Sequence, residues 1–257
     1  MPDITDQLGS FLRSRRERFA PNQVGLAATR RRRTPGLRRE EVAGLAGISA
    51  EWYVKLEQGR AVAPSSATID ALAAALRLSP EEHAHLRRLA RPEHRPCFAR
   101  ETVPASLERF IQSLGQPAYI VGLRWDLLVW NPAAQALFGA LIDGPESERN
   151  ILVGMLTDPC ARALFGLGWN DEARRMTALF RSTHDVWAAD PAFTSLVARI
   201  HKDCPDFYGW WNTHDIGVPA SGIKSLDHPD RGITRYEYVT FQSNDDNRLK
   251  VCVFTEL

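Results

Sequence analysis

The chain of 257 residues is 44% hydrophobic and 25% charged, with a net charge of +1. That make-up is of an ordinary globular protein and excludes a disordered, collagen-like or disulfide-stapled chain. The charge is unevenly spread: residues 1–100 hold 18 Lys and Arg against 11 Asp and Glu, and residues 101–257 hold 14 against 20. A basic module suited to a polyanion, joined to an acidic module, is expected, and the length accommodates two domains.

In chain order, Leu8, Phe11, Leu12 and Phe19 predict a first helix over Asp6–Phe19, with arginines around it. Residues 20–36 lose periodicity and contain the consecutive Arg30, Arg31, Arg32 and Arg33. A second helix is expected over Leu37–Ala46, with Val42 and Leu45 inward and Gly47 ending it. Ser49 is a good N-cap for a third helix, Ala50–Gln58, with Tyr53 and Leu56 inward and Gly59 as its stop. Ser65 or Ser66 opens a fourth helix and Ser79-Pro80 a fifth. Five short helices therefore make up a domain over residues 1–92.

Three prolines without periodicity place a linker at residues 93–104. Beyond it, in a domain over residues 105–257, a helix at 105–114 precedes two short strands, Ala118–Leu123 and Asp126–Trp130, turned at Arg124-Trp125. Asn131-Pro132 starts another helix, and residues 150–214 read as a helical series, including Asp171–Trp187 and Pro205–His214. Strands near 222–227, 231–242 and 248–255 close the chain, separated by "HPDRG" and "SNDDN" turns. The second domain is thus α+β, with two strands, several helices and three closing strands.

The four cysteines, Cys97, Cys160, Cys204 and Cys252, stand singly without metal-ligand spacing, so reduced thiols in a cytoplasmic protein and no bound metal are expected. No stretch reaches 18 apolar residues and no apolar run precedes a cleavage site, so a chain neither exported nor membrane-spanning is expected.

The stretch "GLRREEVAGLAGISAEWYVKLEQGR" carries chemistry. A helix-turn-helix needs a short turn between two helices, so that the second projects its N-terminal residues into a major groove. Gly47-Ile48-Ser49 supplies that turn and leaves Ala50, Glu51, Val54 and Lys55 on the outer face. Glu51 can accept from a cytosine amino group, Lys55 can donate to guanine, and Ala50 can meet a thymine methyl. Arg38, Arg39, Arg60 and the run Arg30–Arg33 suit phosphates.

With "RRRRTPGLRREEVAGLAGIS" and "YVKLEQGR", residues 1–90 resemble the Cro-like, xenobiotic-response-element type of helix-turn-helix regulator, especially the actinobacterial MmyB-like branch. "PAYIVGLRWDLLVWNPAAQALFG", "NILVGMLTDPCARALF" and "FYGWWNTHDI" resemble that branch's ligand-binding domain, which is similar to PAS domains. The resemblance implies two domains: an all-α five-helix helix-turn-helix domain, then an α+β PAS-like domain with an antiparallel sheet. It implies fatty-acyl ligands for some members, base-reading roles for Ala50, Glu51 and Lys55, and a phosphate contact for Arg39. Glu57 matches a structural glutamate that pairs with an arginine of helix one, Arg15 or Arg16. Arg39 stands where glutamine is usual, and the connection before helix two is longer than in phage repressors, with arginines suited to a minor groove.

One helix-turn-helix spans a half-site, so a homodimer on a palindromic operator in double-stranded DNA is expected. In the second domain, walls for a small apolar, acyl-like ligand are expected from Trp125, Trp130, Phe138, Met155, Leu156, Phe165, Met176, Phe180, Trp187, Trp210 and Trp211. Tyr119, His214, Arg235 and Tyr238 are the candidate polar groups, with His214 or Arg235 for a carboxylate. The alternative is a ligand-free dimerisation or protein-interaction module. No hydrolase, Walker or dinucleotide motif occurs, and the two Thr-His-Asp runs are poor dyads because helical neighbours diverge by about 100°. No catalytic residue and no cofactor is expected.

Overall fold

Capping chemistry sets the helix boundaries of the first unit in the computed structural model, which describes residues 4–26, 36–60, 63–90, 97–143, 145 and 149–257. The helices are α1 (Ile4–Arg18), α2 (Arg39–Leu45), α3 (Ala50–Glu57), α4 (Ser66–Ala75) and α5 (Pro80–Leu89). The hydroxyls of Ser49, Ser65 and Ser79 each accept the backbone N–H three residues on, at 3.2 Å. Glu82 reciprocates by accepting the Ser79 amide at 3.0 Å, which completes a capping box. Gly47 and Gly59, both at φ 66°, end α2 and α3. There the Ile48 amide donates to the Ala43 carbonyl at 3.0 Å and the Arg60 amide to Lys55 at 2.9 Å.

Helix α2 starts two residues later than its periodicity predicts. Arg38 is extended, with ψ 157°, and its amide donates to the Glu41 carboxylate at 2.7 Å. Leu37 remains fully buried in a core with Phe11, Leu12, Val42, Tyr53, Leu56 and Leu76. Leu45, expected inward, is 39% exposed, and the next residue, Ala46, is buried in its stead. Helix α1 crosses the end of α3 at backbone distance: a Cβ on Gly9 would lie 2.5 Å from the Glu57 carbonyl oxygen.

The first compact unit comprises residues up to Pro96 together with His184–Thr194 and Thr213–Ile216; the second holds Cys97–Thr183, Ser195–Asn212 and Gly217–Leu257. After the second unit's α6 (Ala105–Ser113) come β1 (Ala118–Val121), β2 (Leu127–Trp130), α7 (Pro132–Ile142), α8 (Ile151–Thr157) and α9 (Pro159–Phe165). They are followed along the chain by α10 (Trp169–His184), α11 (Pro191–Asp203), α12 (Pro205–Asn212), β3 (Gly222–His228), β4 (Gly232–Gln242) and β5 (Lys250–Glu256). Buried asparagines organise the turns. Asn131 accepts the amides of Ala118 and Ala134, at 3.1 and 2.9 Å, and donates to the carbonyls of Leu114 and Gln116. Asn150 caps α8 and ties it back to Asp126 and the Arg124 carbonyl.

The sheet is antiparallel, in the order β2-β1-β5-β4-β3, so β5 is its middle strand. Period-2 alternation gives β5 two apolar faces. Val251 joins Ile120 and Ile111 of α6 in one cluster, while Cys252 and Phe254 join Leu137, Phe138 and Tyr238 in another. The chain is therefore an all-α helix-turn-helix unit followed by an α+β domain with a five-stranded antiparallel sheet. No single helix among the described residues is long and apolar enough to cross a membrane.

Candidate functional site

At the turn between α2 and α3, the residues expected to read bases stand out of the core: Glu51 and Lys55 keep 80% and 43% of their side chains exposed, and Ala50 is partly buried. The two charged side chains form an i,i+4 ion pair at 2.8 Å. Arg38 and Arg60 are exposed. Arg30, Arg31, Arg32 and Arg33 lie outside the described residues.

Beneath this surface Glu57 is buried and holds two arginines. Arg16 donates to it through Nε and Nη2, at 2.7 and 2.9 Å, and Arg39 through Nε at 2.9 Å. Burial pushes the Glu57 carboxyl up, but Arg16 and Arg39 outweigh it and hold it below the usual range. Burial likewise opposes the charge on Arg16, and Glu57 wins, raising it. Arg16 also donates to the Leu37 carbonyl at 2.9 Å, so the network fixes the approach to α2. Of the two helix-one partners expected for Glu57, Arg16 is the one. Arg15 pairs with Glu82 at 2.9 Å.

In the second unit a cavity of about 120 Å³ lies between the inner face of the sheet and α7–α10. Its walls are mostly apolar, including Val121, Trp125, Leu127, Ile142, Met155, Phe165, Met176, Leu179 and Phe254. Helix α10 contributes Glu172, Arg175, Met176 and Leu179, whose 3-1-3 spacing is one helical face. Tyr119, Phe138 and Phe254 interlock, with ring centroids 5.1–6.1 Å apart. Trp125 takes a left-handed φ of 68°, a conformation uncommon for a bulky side chain, to reach this wall.

A family model of a helix-turn-helix domain matches residues 7–86, and one of the MmyB-like transcription regulator ligand binding domain matches residues 103–257. The chain belongs to the MmyB-like transcription regulators. A comparison with curated proteins finds no match. As a member of this family it is a DNA-binding transcription regulator, with DNA and a small molecule as the partners its two domains imply.

Of the residues expected to hold ligand in this MmyB-like regulator, Tyr119, Phe138, Met155, Phe165, Met176 and Tyr238 line the cavity, as does Trp125. Five do not. Trp130 donates its Nε1–H to Gln135 at 2.7 Å and lies under Arg149, outside the wall. Trp187 belongs to the first unit, stacked on Phe193 at 5.6 Å. Trp211 lies under Arg181, with the guanidinium 3.8 Å from the ring centroid. His214, at φ 52°, offers its carbonyl to Arg15. Arg235 is exposed on the opposite sheet face, because the strand that buries Tyr236 and Tyr238 turns the odd position outward.

Sequence reasoning missed the cavity's charged lining, Glu172, Arg175, Lys224 and Lys250, together with Cys252. The signal was parity: Lys250 shares its strand face with Cys252 and Phe254. Glu172 accepts from Arg175 at 2.7 and 2.9 Å and from Lys224. Burial pushes the Glu172 carboxyl up, yet Arg175 and Lys224 bring it below its ordinary value. Burial pushes the Cys252 thiol up to about 11 and the Tyr119 hydroxyl well above its usual value, so both stay protonated at neutral pH.

The Thr-His-Asp reading needs one correction. His184 Nδ1 lies 3.1 Å from Asp185, and Asp185 lies 3.2 Å from His85 Nε2, all three buried in the first unit. The pair meets because α10 ends at His184. None of the three lines the cavity. Among the described residues no group of three His, Cys, Asp or Glu could hold a metal ion.

Proposed function

We propose that this chain is a sequence-specific regulator, acting in the cytoplasm, whose DNA affinity is set by a small, largely apolar ligand in the cavity of its second domain. The observation that carries the reading is the largely apolar cavity between the sheet and α7–α10, in a domain attached to a helix-turn-helix. Apolar cavities of about 150 Å³ hold a benzene ring, so this one, somewhat smaller, seats a short acyl segment. A longer fatty-acyl chain of the kind the family resemblance implies extends through the mouth. Ala50, Glu51 and Lys55 read bases, while Arg38, Arg39, Arg60 and the Arg30–Arg33 run hold phosphates. A homodimer on a palindromic operator follows from the single half-site each chain covers. The exposed Val239 and Phe241 on the outer sheet face support such an association.

Ligand can shift DNA binding only as far as its affinities for the two states differ. The test is a titration of saturated carboxylic acids of increasing length, followed by operator binding with and without the best binder. Saturable binding with a change in operator affinity is expected. Saturable binding without that change leaves a carrier rather than a sensor. No binding at any length leaves the interaction-module alternative.

A further inference from the structure

The cavity's charge balance says what kind of head its occupant carries. Three cations line it, Arg175, Lys224 and Lys250, against the single carboxylate of Glu172. Glu172 is fully engaged by Arg175 and Lys224. Lys250 has no ion pair among the described residues; its ammonium lies 5.3 Å from the centre of the Trp125 ring. A partly buried ammonium without a counter-charge is costly, and the cavity-facing side of a core strand is an expensive place to keep one.

From this geometry we infer that Lys250 is the specificity-determining residue of the cavity and that the ligand carries an anionic head, a carboxylate or phosphate monoester, seated between Lys250 and Arg175 with its apolar body toward Met155 and Phe165. This deepens the ligand-sensor reading and rests on it. Arg175 is positioned to serve: it belongs to the same wall, and its positive charge is felt by both lysines. Burial, the largest cause, and Arg175 weaken the proton affinity of Lys250 against a smaller opposing effect of Cys252, so an arriving anion relieves both costs at once. The polar end expected at His214 or Arg235 is supplied instead by residues on β5 and α10.

The experiment compares octanoate, octyl phosphate and 1-octanol, which share one apolar body, by calorimetry on the full chain and on Lys250→Met. Wild type should bind an anion more tightly than the alcohol by about tenfold or more, the size of a charge-assisted hydrogen bond. In Lys250→Met that ratio should fall to near one, and Lys250→Arg should restore it. The relative affinity of the two anions identifies the head. Equal binding of anion and alcohol by wild type overturns the inference while leaving the apolar-ligand reading intact, and this measurement requires no variant. A ratio unchanged in Lys250→Met overturns it too. Absence of binding by all three, and by longer homologues, removes the ligand reading itself.

Discussion

Glu57 shows how one buried carboxylate can hold two arginines from different helices. Its side chain is 1% exposed and that of Arg16 is 7%, so the pair is a buried one, whereas Arg39 keeps 39% of its side chain exposed. Breaking a buried pair leaves a charge without its partner, and Glu57→Ala is expected to cost about 3–5 kcal/mol, read as a lowered Tm. Unchanged stability with altered base preference would assign Glu57 to the DNA surface instead. The pH dependence follows from the depressed carboxyl. Its contribution is complete above the ordinary Glu value of about 4.3 and is lost as pH falls through the lower folded value. Urea titrations should therefore show wild type losing stability below about pH 4.3 more steeply than Glu57→Gln. At the surface, Lys55→Ala should cost about 1–3 kcal/mol on the cognate operator and relax one base position. Equal weakening on random and cognate DNA would reassign Lys55 to phosphate.

Among the elements, those with local causes were legible and those set by tertiary parity were not. Ser49, Gly47, Ser79 and Asn131-Pro132 announce helix ends in the sequence, and the structure ends its helices there. The cavity was legible only as a stock of aromatics. Which of them reach it depends on strand phase and on the face of α10, so Arg235 was grouped with Tyr238 although an odd separation along β4 puts them on opposite sides. Lys250 and Lys224 were passed over because a lysine in an alternating strand ordinarily faces water. The close crossing of α1 and α3 left only a glycine as its trace. Gly9→Ala forces a methyl group into the Glu57 carbonyl and should cost about 1–3 kcal/mol, visible as a drop in Tm with the second unit's near-ultraviolet signal preserved.

On the scale of the whole chain, a DNA reader and a ligand cavity are covalently joined, and filling the cavity tests their linkage. Met155 is 2% exposed and lines the cavity, and its carbonyl accepts the Trp169 Nε1–H at 2.8 Å. Because space adjoins it, Met155→Trp should lower stability by less than the roughly 1–3 kcal/mol of ordinary overpacking while abolishing the thermal shift given by octanoate. A full overpacking cost with ligand response retained would move the binding site elsewhere. The strand order has a consequence for synthesis. The middle strand, β5, is made after the other four of its sheet, and Ala118 waits for Val253, 135 residues further on. While the nascent chain emerges, β1 and β4 each present an unpaired edge, and the two parts of the sheet cannot join until Lys250–Glu256 clears the ribosome. A stop codon just before residue 250 would therefore remove the centre of the sheet rather than its margin.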